Sequence, residues 1–186
     1  MIRLGRGKWK GHILRPSKKL CRPTSSLVRA AFMDIAGREL IDSAIVWDLC
    51  ACSGAVGLET LSWGASHCVF VDRNPRSTGL IRSFLKEHDA MDEATIITGD
   101  VRNYVKKINS LPDVVFIDPP YGSTDIFEWL DSVQWMGVLK SAGAVFVESG
   151  KNTIMLNGWK KRKYGDSYLH WKWMKEENDN YLSRYI

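Results

Sequence analysis

The most specific chemical signal in the sequence is Asp118-Pro119-Pro120-Tyr121. Two consecutive prolines fix φ twice and remove two N–H donors, so this segment presents carbonyl oxygens and a carboxylate as acceptors. Such a cluster suits a donor-rich group, for example the exocyclic amine of a nucleobase. If Asp118 and Pro119 accept its two hydrogens, the amine lone pair is localised for nucleophilic attack, while Tyr121 offers a face for base stacking. The alternative is a chance Pro-Pro loop after a strand.

A second candidate site is the segment from Asp48 to Gly57, which also contains Ser53 and Gly54. Glycines between a strand and a helix let the backbone approach a ligand at the helix N-terminus. Only two glycines of a dinucleotide fingerprint are present, so phosphate binding is not indicated and a tight turn without ligand stays open. Asp72 follows Gly54 by 18 residues, where a ribose-binding carboxylate is expected. This spacing favours adenosine binding.

A third element, Gly99-Asp100-Val101, offers an acceptor and a backbone N–H to an adenine edge. The alternative is an ordinary capped helix start.

The elements that position these residues alternate along the middle of the chain. Short apolar runs predict strands at 45–49, 67–72, 94–97, 114–118 and 144–148, and amphipathic runs predict helices at 55–63, from 75, from 101 and at 125–136. Apolar strands separated by helices indicate an α/β fold with a parallel sheet buried on both faces. Its ligand crevice lies beyond the carboxyl ends of the strands, so we expect the carboxylates at 48, 72, 100 and 118 to face it.

The two ends of the chain differ from this middle. Residues 159–164 and 168–173 flank Gly165-Asp166-Ser167 and predict a closing antiparallel hairpin. Short strands are predicted within 4–14, and Thr24 is predicted to cap a helix that extends to about Ala36. We therefore divide the chain into an N-terminal extension (1–38), a main domain (39–175) and a flexible tail (176–186).

Composition excludes several classes of protein. The chain has 186 residues, 45% of them hydrophobic, which argues against disorder, and no apolar stretch approaches the roughly 20 residues of a membrane span. Four cysteines are too few for a disulfide scaffold, and Cys50-x-Cys52 lacks a second pair for zinc, so we expect no metal and reduced thiols in the cytoplasm.

The net charge of +5 conceals an uneven distribution. Residues 1–38 carry net +9, residues 39–150 net −8, residues 151–175 net +6 and residues 176–186 net −2. Two basic ends around an acidic middle are typical of a catalytic body with polyanion-binding surfaces, although a solvated charged face has the same composition.

The segment Asp118 to Tyr121 resembles the D/N-P-P-Y/F motif of S-adenosylmethionine-dependent amino-methyltransferases, and the segment from Asp48 to Gly57 resembles their first cofactor motif. More narrowly, Gly7-Lys-Trp-Lys-Gly11 and Leu20-Cys-Arg-Pro-Thr24, with Val28-Arg29, Phe32 and Tyr164-Gly-Asp166, are similar to the RsmD family. The resemblance covers residues 1–174.

The resemblance implies a Rossmann-like class I methyltransferase fold, with a mostly parallel seven-stranded sheet and a C-terminal antiparallel hairpin. It implies S-adenosylmethionine as cofactor and the N2 amine of one guanine in 16S ribosomal RNA of the small subunit as target, in a monomeric cytoplasmic enzyme. It assigns the methionine side of the cofactor to Asp48, Ser53, Gly54 and Gly57, the ribose to Asp72 with Arg73, the adenine to Asp100 with Val101, and the target base to Asp118, Pro119, Pro120 and Tyr121. Beside such a core, RNA contact is expected from Arg6, Lys8, Lys10, Arg22 and Arg29, with residues 160–163 as a weaker second patch.

Some positions depart from the family pattern: Cys52 stands where the family usually has glycine, and Ala30 where it has an acid. Two alternatives stay open. A DNA adenine-N6 methyltransferase shares the Asp-Pro-Pro-Tyr chemistry but usually carries a target-recognition insert, for which no segment is left over. A non-catalytic RNA-binding or assembly module is the other.

Overall fold

The computed structural model describes residues 1–16, 22–106, 111–120, 122–150, 156 and 158–174. The chain folds into a seven-stranded sheet with helices on both faces and a separate two-stranded ribbon near the N-terminus. The strands are β1 (Ile2–Arg3), β2 (Ile13–Leu14), β3 (Ile45–Leu49), β4 (His67–Asp72), β5 (Ala94–Thr98), β6 (Val114–Ile117), β7 (Ala144–Ser149), β8 (Lys160–Tyr164) and β9 (Ser167–Trp173). The helices are α1 (Ser26–Ile41), α2 (Ala55–Ser62), α3 (Pro75–Glu87), α4 (Val101–Val105) and α5 (Thr124–Ser132).

The order of strands in the large sheet is β5-β4-β3-β6-β7-β9-β8. The five strands from β5 to β7 are parallel, and β9 is antiparallel to both of its neighbours. The predicted mostly parallel sheet with a C-terminal antiparallel hairpin is therefore confirmed. From β3 the chain winds outward through β4 and β5, then returns to β6 on the other side. A ligand crevice is expected at this reversal, at the carboxyl ends of β3 and β6.

The sheet is covered on both faces, which explains why its central strands are continuously apolar. On one face α1, α2, α3 and the β1–β2 ribbon pack around Phe32, whose ring centroid lies 4.9 Å from those of Phe116 and Phe146. On the other face α4 and α5 pack against residues that include Trp47 and Val115. No helix in the described part of the chain is long and apolar enough to cross a membrane.

The first helix differs from its prediction. It begins at Ser26 rather than directly after Thr24, because the side chain of Ser25 accepts the Val28 N–H and caps it. It then continues to Ile41 across a kink at Gly37, where φ is 74°. The helix crosses the boundary predicted at residue 38 and packs into the main core. The structure therefore does not separate the core of the extension from that of the main domain, and the division stays a prediction.

One other element is shorter than predicted, and a second is described only in part. The predicted helix over 125–136 ends at Ser132, and Trp135–Gly137 forms a separate 3₁₀ turn after an extended residue, Val133. The helix after residue 101 is described only to Val105, and both Ile108 and the predicted tail lie outside the described residues.

Close packing between α2 and β4 requires a glycine at position 57. A Cβ atom there would lie 2.3 Å from the Phe70 ring and 2.6 Å from Cys68 Sγ. Glycine at this position therefore serves the contact between helix and sheet.

We predict that Gly57→Ala lowers the free energy of unfolding by about 1–3 kcal/mol, because the added methyl overpacks this contact. The measurement is urea denaturation of the variant beside Gly79→Ala. Gly79 lies inside α3, and an added Cβ would meet nothing within 4 Å. The control should be neutral or stabilised, by up to about 1 kcal/mol. Equal stability of the two variants would contradict the packing argument.

Candidate active site

A narrow cleft of about 110 Å³ opens at the carboxyl ends of the parallel strands. It lies where the chain reversal between β3 and β6 predicts a ligand crevice. Four of the predicted site residues line it, namely Asp72, Arg73, Val101 and Pro120. Five further residues were not predicted: Cys50, Arg102, Ser123, Asp125 and Ile126.

The loop after β3 has an unusual backbone that Asp72 holds in place. Left-handed φ values recur at Cys50 (61°), Cys52 (52°) and Gly54 (73°). Asp72 Oδ2 accepts the Cys52 N–H at 2.7 Å, and Oδ1 accepts the Asn74 N–H at 2.8 Å. Since a carboxylate oxygen has two acceptor positions, Asp72 keeps capacity for a ligand hydroxyl. Glycine adopts the left-handed conformation found at Cys52 without strain. This explains why the family that the chain resembles usually has glycine at this position.

Asp48 is buried instead of facing the open crevice, with 2% of its surface exposed. Its Oδ2 accepts the Gly57 N–H at 2.9 Å, so it fixes the start of α2. Burial, with the nearby charge of Asp72, raises the pKa of Asp48 to about 8. Ser53 is also buried, and a Cβ on Gly54 would lie 2.6 Å from Ile81. The side chains of Asp48 and Ser53 therefore hold the loop in position. The backbone of the loop is the part that a ligand could approach.

Asp100 is engaged by two arginines. Its Oδ1 caps α4 by accepting the Arg102 N–H at 2.9 Å, and its Oδ2 pairs with Arg102 and with Arg73. These contacts hold the pKa of Asp100 well below its ordinary value, chiefly through Arg102. The helix-cap interpretation is confirmed by this contact, whereas the adenine contact of Asp100 stays a prediction. Val101 beside it contributes an apolar wall of the cleft.

Asp118 follows the last residue of β6, and its backbone N–H donates to the Leu49 carbonyl at 3.2 Å. The hydroxyl of Thr24 donates to Asp118 Oδ2 at 2.7 Å. Burial, followed by the charge of Glu148, raises the pKa of Asp118 well above its ordinary value, whereas the Thr24 hydrogen bond and Arg22 act to lower it. Pro119 is buried and Pro120 is exposed at the cleft. Tyr121 lies outside the described residues.

Arg29 anchors the segment that contains Thr24. Its Nε donates to Glu59 Oε2 at 2.9 Å, and its Nη1 donates to the Thr24 carbonyl at 2.9 Å. The third donor, Nη2, reaches the Arg3 carbonyl at 3.0 Å, and Glu59 Oε1 accepts the Gly5 N–H at 2.8 Å. Arg29 is only 4% exposed, so its predicted contact with RNA is wrong. Its charge is used inside the fold.

The other predicted RNA-binding residues do not share one surface. Lys8 Nζ pairs with Glu93, just before β5, and the neighbouring Trp9 packs on Phe84 near the end of α3. Helix α3 begins near the cleft, at the carboxyl ends of the strands, and its 13 residues extend about 20 Å at 1.5 Å per residue. Lys8, near the far end of α3, therefore lies at the opposite edge of the sheet, by the amino ends of the parallel strands. Arg6 pairs with Asp34.

Lys10 and Arg22 are both exposed. Of these cations, Arg22 is the one whose charge acts on Asp118. The predicted RNA contact at Lys10, and at the paired Arg6 and Lys8, stays a prediction.

Two residues near Asp118 escaped the sequence analysis. Thr24 was interpreted as a helix cap, and the hydrogen bond to a residue 94 positions away carried no local signal. Glu148 lies one residue before the end of β7, near the carboxyl end of its strand like the other carboxylates, so the same signal was available for it. Its Oε1 accepts the Ser167 hydroxyl at 2.7 Å, and it is 2% exposed.

The cysteines are only partly as predicted. Cys50 and Cys68 are free thiols, whereas Cys52 is disulfide-bonded, so the expectation of reduced thiols is wrong for Cys52. A count of cysteines does not reveal which of them the fold brings within bonding distance. Among the described residues no group of His, Cys, Asp or Glu could hold a metal ion.

Comparison with known proteins finds rRNA methyltransferases among the proteins that this chain resembles. The protein "Putative rRNA methyltransferase YlbH" of Bacillus subtilis is 28% identical over 151 residues, covering 79% of this chain and 82% of the relative. Ribosomal RNA small subunit methyltransferase D of Escherichia coli (strain K12) is 26% identical over 149 residues, covering 80% and 74%. A solved hypothetical protein of Thermus thermophilus has a TM-score of 0.77 and 25% identity, covering 92% of this chain and 98% of its own.

The model of one protein family matches residues 2–173, a range that includes both the cleft and the hairpin. The chain therefore belongs to the family described as conserved hypothetical protein 95.

Proposed function

We propose that this protein transfers a methyl group from S-adenosylmethionine to the exocyclic N2 amine of a guanine in small-subunit ribosomal RNA. The observation that carries the proposal is the position of Asp118 and Pro119 directly after β6 and directly before Pro120, which lines the cleft together with Asp72 and Val101. Relatives in the same family are named as ribosomal RNA methyltransferases, and the chain matches them over most of its length. It is an rRNA methyltransferase by this membership, and the N2 target and the small-subunit substrate are the proposed part.

The cleft has groups that fit S-adenosylmethionine. Asp72 faces it with a carboxylate whose remaining lone pairs suit ribose hydroxyls, and Val101 and Ile126 provide apolar surface for an adenine ring. Cys50, which also lines the cleft, begins the left-handed loop, whose backbone can approach a ligand closely. When bound, the cofactor supplies a methyl group on a sulfonium, whose leaving group is a neutral thioether.

Asp118 and Pro119 act on the amine of the target base. The exocyclic nitrogen is a poor nucleophile because its lone pair is delocalised into the ring. Acceptance of one hydrogen by Asp118 and the other by the Pro119 carbonyl holds that lone pair in a fixed direction toward the cleft. The target base must leave its stack to reach this position, at a cost of a few kcal/mol.

The protonation state of Asp118 controls this step. Only the ionised carboxylate accepts from the amine without donating, and burial with Glu148 opposes ionisation. Thr24 counteracts this effect, because a hydroxyl that donates to the carboxylate stabilises the charged form. With Oδ2 held by Thr24, Oδ1 is oriented for the base. Thr24 is thus a positioning residue that acts through Asp118.

We predict that Asp118→Asn and Asp118→Ala lower methyl transfer to small subunits at least about 100-fold, since each removes the charged acceptor. Binding of S-adenosylmethionine, measured by calorimetry, should persist because Asp72 and Val101 are unchanged. Asp131→Asn, on the exposed side of α5, is the matched control and should retain full activity. Turnover by the Asp118 variants at the parent rate would remove the mechanism.

We predict that Thr24→Val lowers kcat and moves the acid limb of the pH profile of kcat/KM to higher pH. The direction follows because the Thr24 hydroxyl lowers the pKa of Asp118, so its loss raises that pKa. Thr24→Ser, which keeps the hydroxyl, should restore the profile, and the KM for S-adenosylmethionine should not change in either variant. Equal loss in both variants, with no shift of the profile, would mean a purely structural role.

A further inference from the structure

The edge strand β8 carries four consecutive cations, Lys160, Lys161, Arg162 and Lys163, and all four are exposed. In the sheet order it pairs with β9 alone. The ion pairs found among the described residues all involve cations elsewhere in the chain. The strand therefore presents a row of positive charge that the described residues do not neutralise.

Aromatic rings lie beside two of these cations. Lys161 Nζ is 4.9 Å from the centre of the Tyr168 ring, and the Arg162 guanidinium is 5.7 Å from that of Tyr164. The charge of Lys161 also acts inward, because together with burial it lowers the pKa of His170 to about 4. Cations interleaved with tyrosines are typical of surfaces that bind a nucleic acid backbone and stack its bases.

The register of the sheet places this row of cations near the carboxyl ends of the parallel strands, where the candidate active site lies. Glu148 pairs with Leu169, which pairs with Arg162, and Asp118 lies in the same row because the preceding Ile117 pairs with Val147. Three strand spacings of about 4.8 Å separate Asp118 from Arg162, a distance of about 14 Å. Lys163 lies one residue closer to the carboxyl edge. A strand of RNA whose base reaches Asp118 would pass close to β8.

Two cations of the amino-terminal segment, one next to the β1–β2 ribbon and one in α1, are placed less favourably. Lys8 lies at the opposite edge of the sheet and pairs with Glu93, and Arg29 is buried against Glu59. A phosphate contact from either would require an ion pair to break. Lys161 and Lys163 carry no such cost.

Lysine on an edge strand also has a purely protective use, since charge there discourages pairing with another sheet. One or two lysines suffice for that protection. The protection is the same whether they lie near the carboxyl ends or the amino ends of the parallel strands. The alignment with Asp118 and the tyrosines beside the cations favour a binding surface over protection alone.

We propose that β8 is a contact for the ribosomal RNA backbone, binding phosphates of nucleotides that flank the target base. The proposal rests on the proposed function, because it assumes that RNA enters the cleft beside Asp118. It assigns much of the RNA affinity to the C-terminal hairpin instead of the N-terminal ribbon.

The test uses the full chain and small subunits prepared from a strain that lacks the protein. The variant is Arg162→Gln with Lys163→Gln, the two cations that the register places nearest Asp118 and the carboxyl ends of the strands. The matched control is Arg82→Gln with Lys86→Gln, which removes equal charge from α3 at the far end of the sheet. Dissociation constants and KM for the subunits are measured over a salt series. Each lost phosphate contact should reduce the slope of log K against log salt by about 0.7–0.9.

We expect weaker binding, a salt slope smaller by about 1.4–1.8 and an unchanged kcat at saturating subunits for the β8 variant, with no slope change in the control. An unchanged slope, or the same change in the control, would overturn the proposal, as would self-association of the variant with intact RNA affinity. If the parent protein itself fails to methylate the subunits, the proposed function fails and not this inference alone.

Discussion

The buried ion pair between Arg29 and Glu59 determines how the amino-terminal segment meets the sheet. A guanidinium this deeply buried is tolerated only with its donors satisfied, and they are satisfied by Glu59 and by the carbonyls of Thr24 and Arg3. This arrangement fixes the backbone of Thr24, whose hydroxyl then reaches Asp118. The carboxylate of Asp118, to which we assign the target amine, is therefore oriented by a chain segment that the sequence pattern places outside the main domain.

Carboxylates at the same edge of one sheet have different environments and so different uses. Asp48 is enclosed and its pKa is raised to about 8, which suits a structural contact with Gly57. Asp100 is held ionised by its arginines. Asp118, between Glu148 and Thr24, is balanced by opposing effects. A carboxylate whose ionisation is balanced in this way is suited to accept from a neutral amine, and the neighbouring residues decide at which pH it does so.

The sequence predicts the sheet well because the apolar runs are continuous and their order along the chain implies parallel pairing. The same logic places Asp72 at the cleft, and Asp118 two residues before Pro120, which also lines it. It fails for Arg29, since a basic residue in a basic segment gives no sign of a partner 30 positions away. It also fails for Thr24. The sequence predicts that the Thr24 hydroxyl caps a helix, and only the tertiary structure shows that it donates to Asp118 instead. The left-handed loop at Cys52 is likewise set by Asp72, which no local pattern reveals.

The measurement that tests the central claim most directly is a map of RNA methylation. Small subunits from a strain that lacks the protein are incubated with the purified chain and labelled S-adenosylmethionine, and the RNA is digested and analysed by mass spectrometry. The account predicts that one guanine, unmodified before incubation, gains a single methyl group on N2. A methyl group on adenine N6 or on a ring nitrogen, or full N2 methylation of every site before the protein is added, would contradict it.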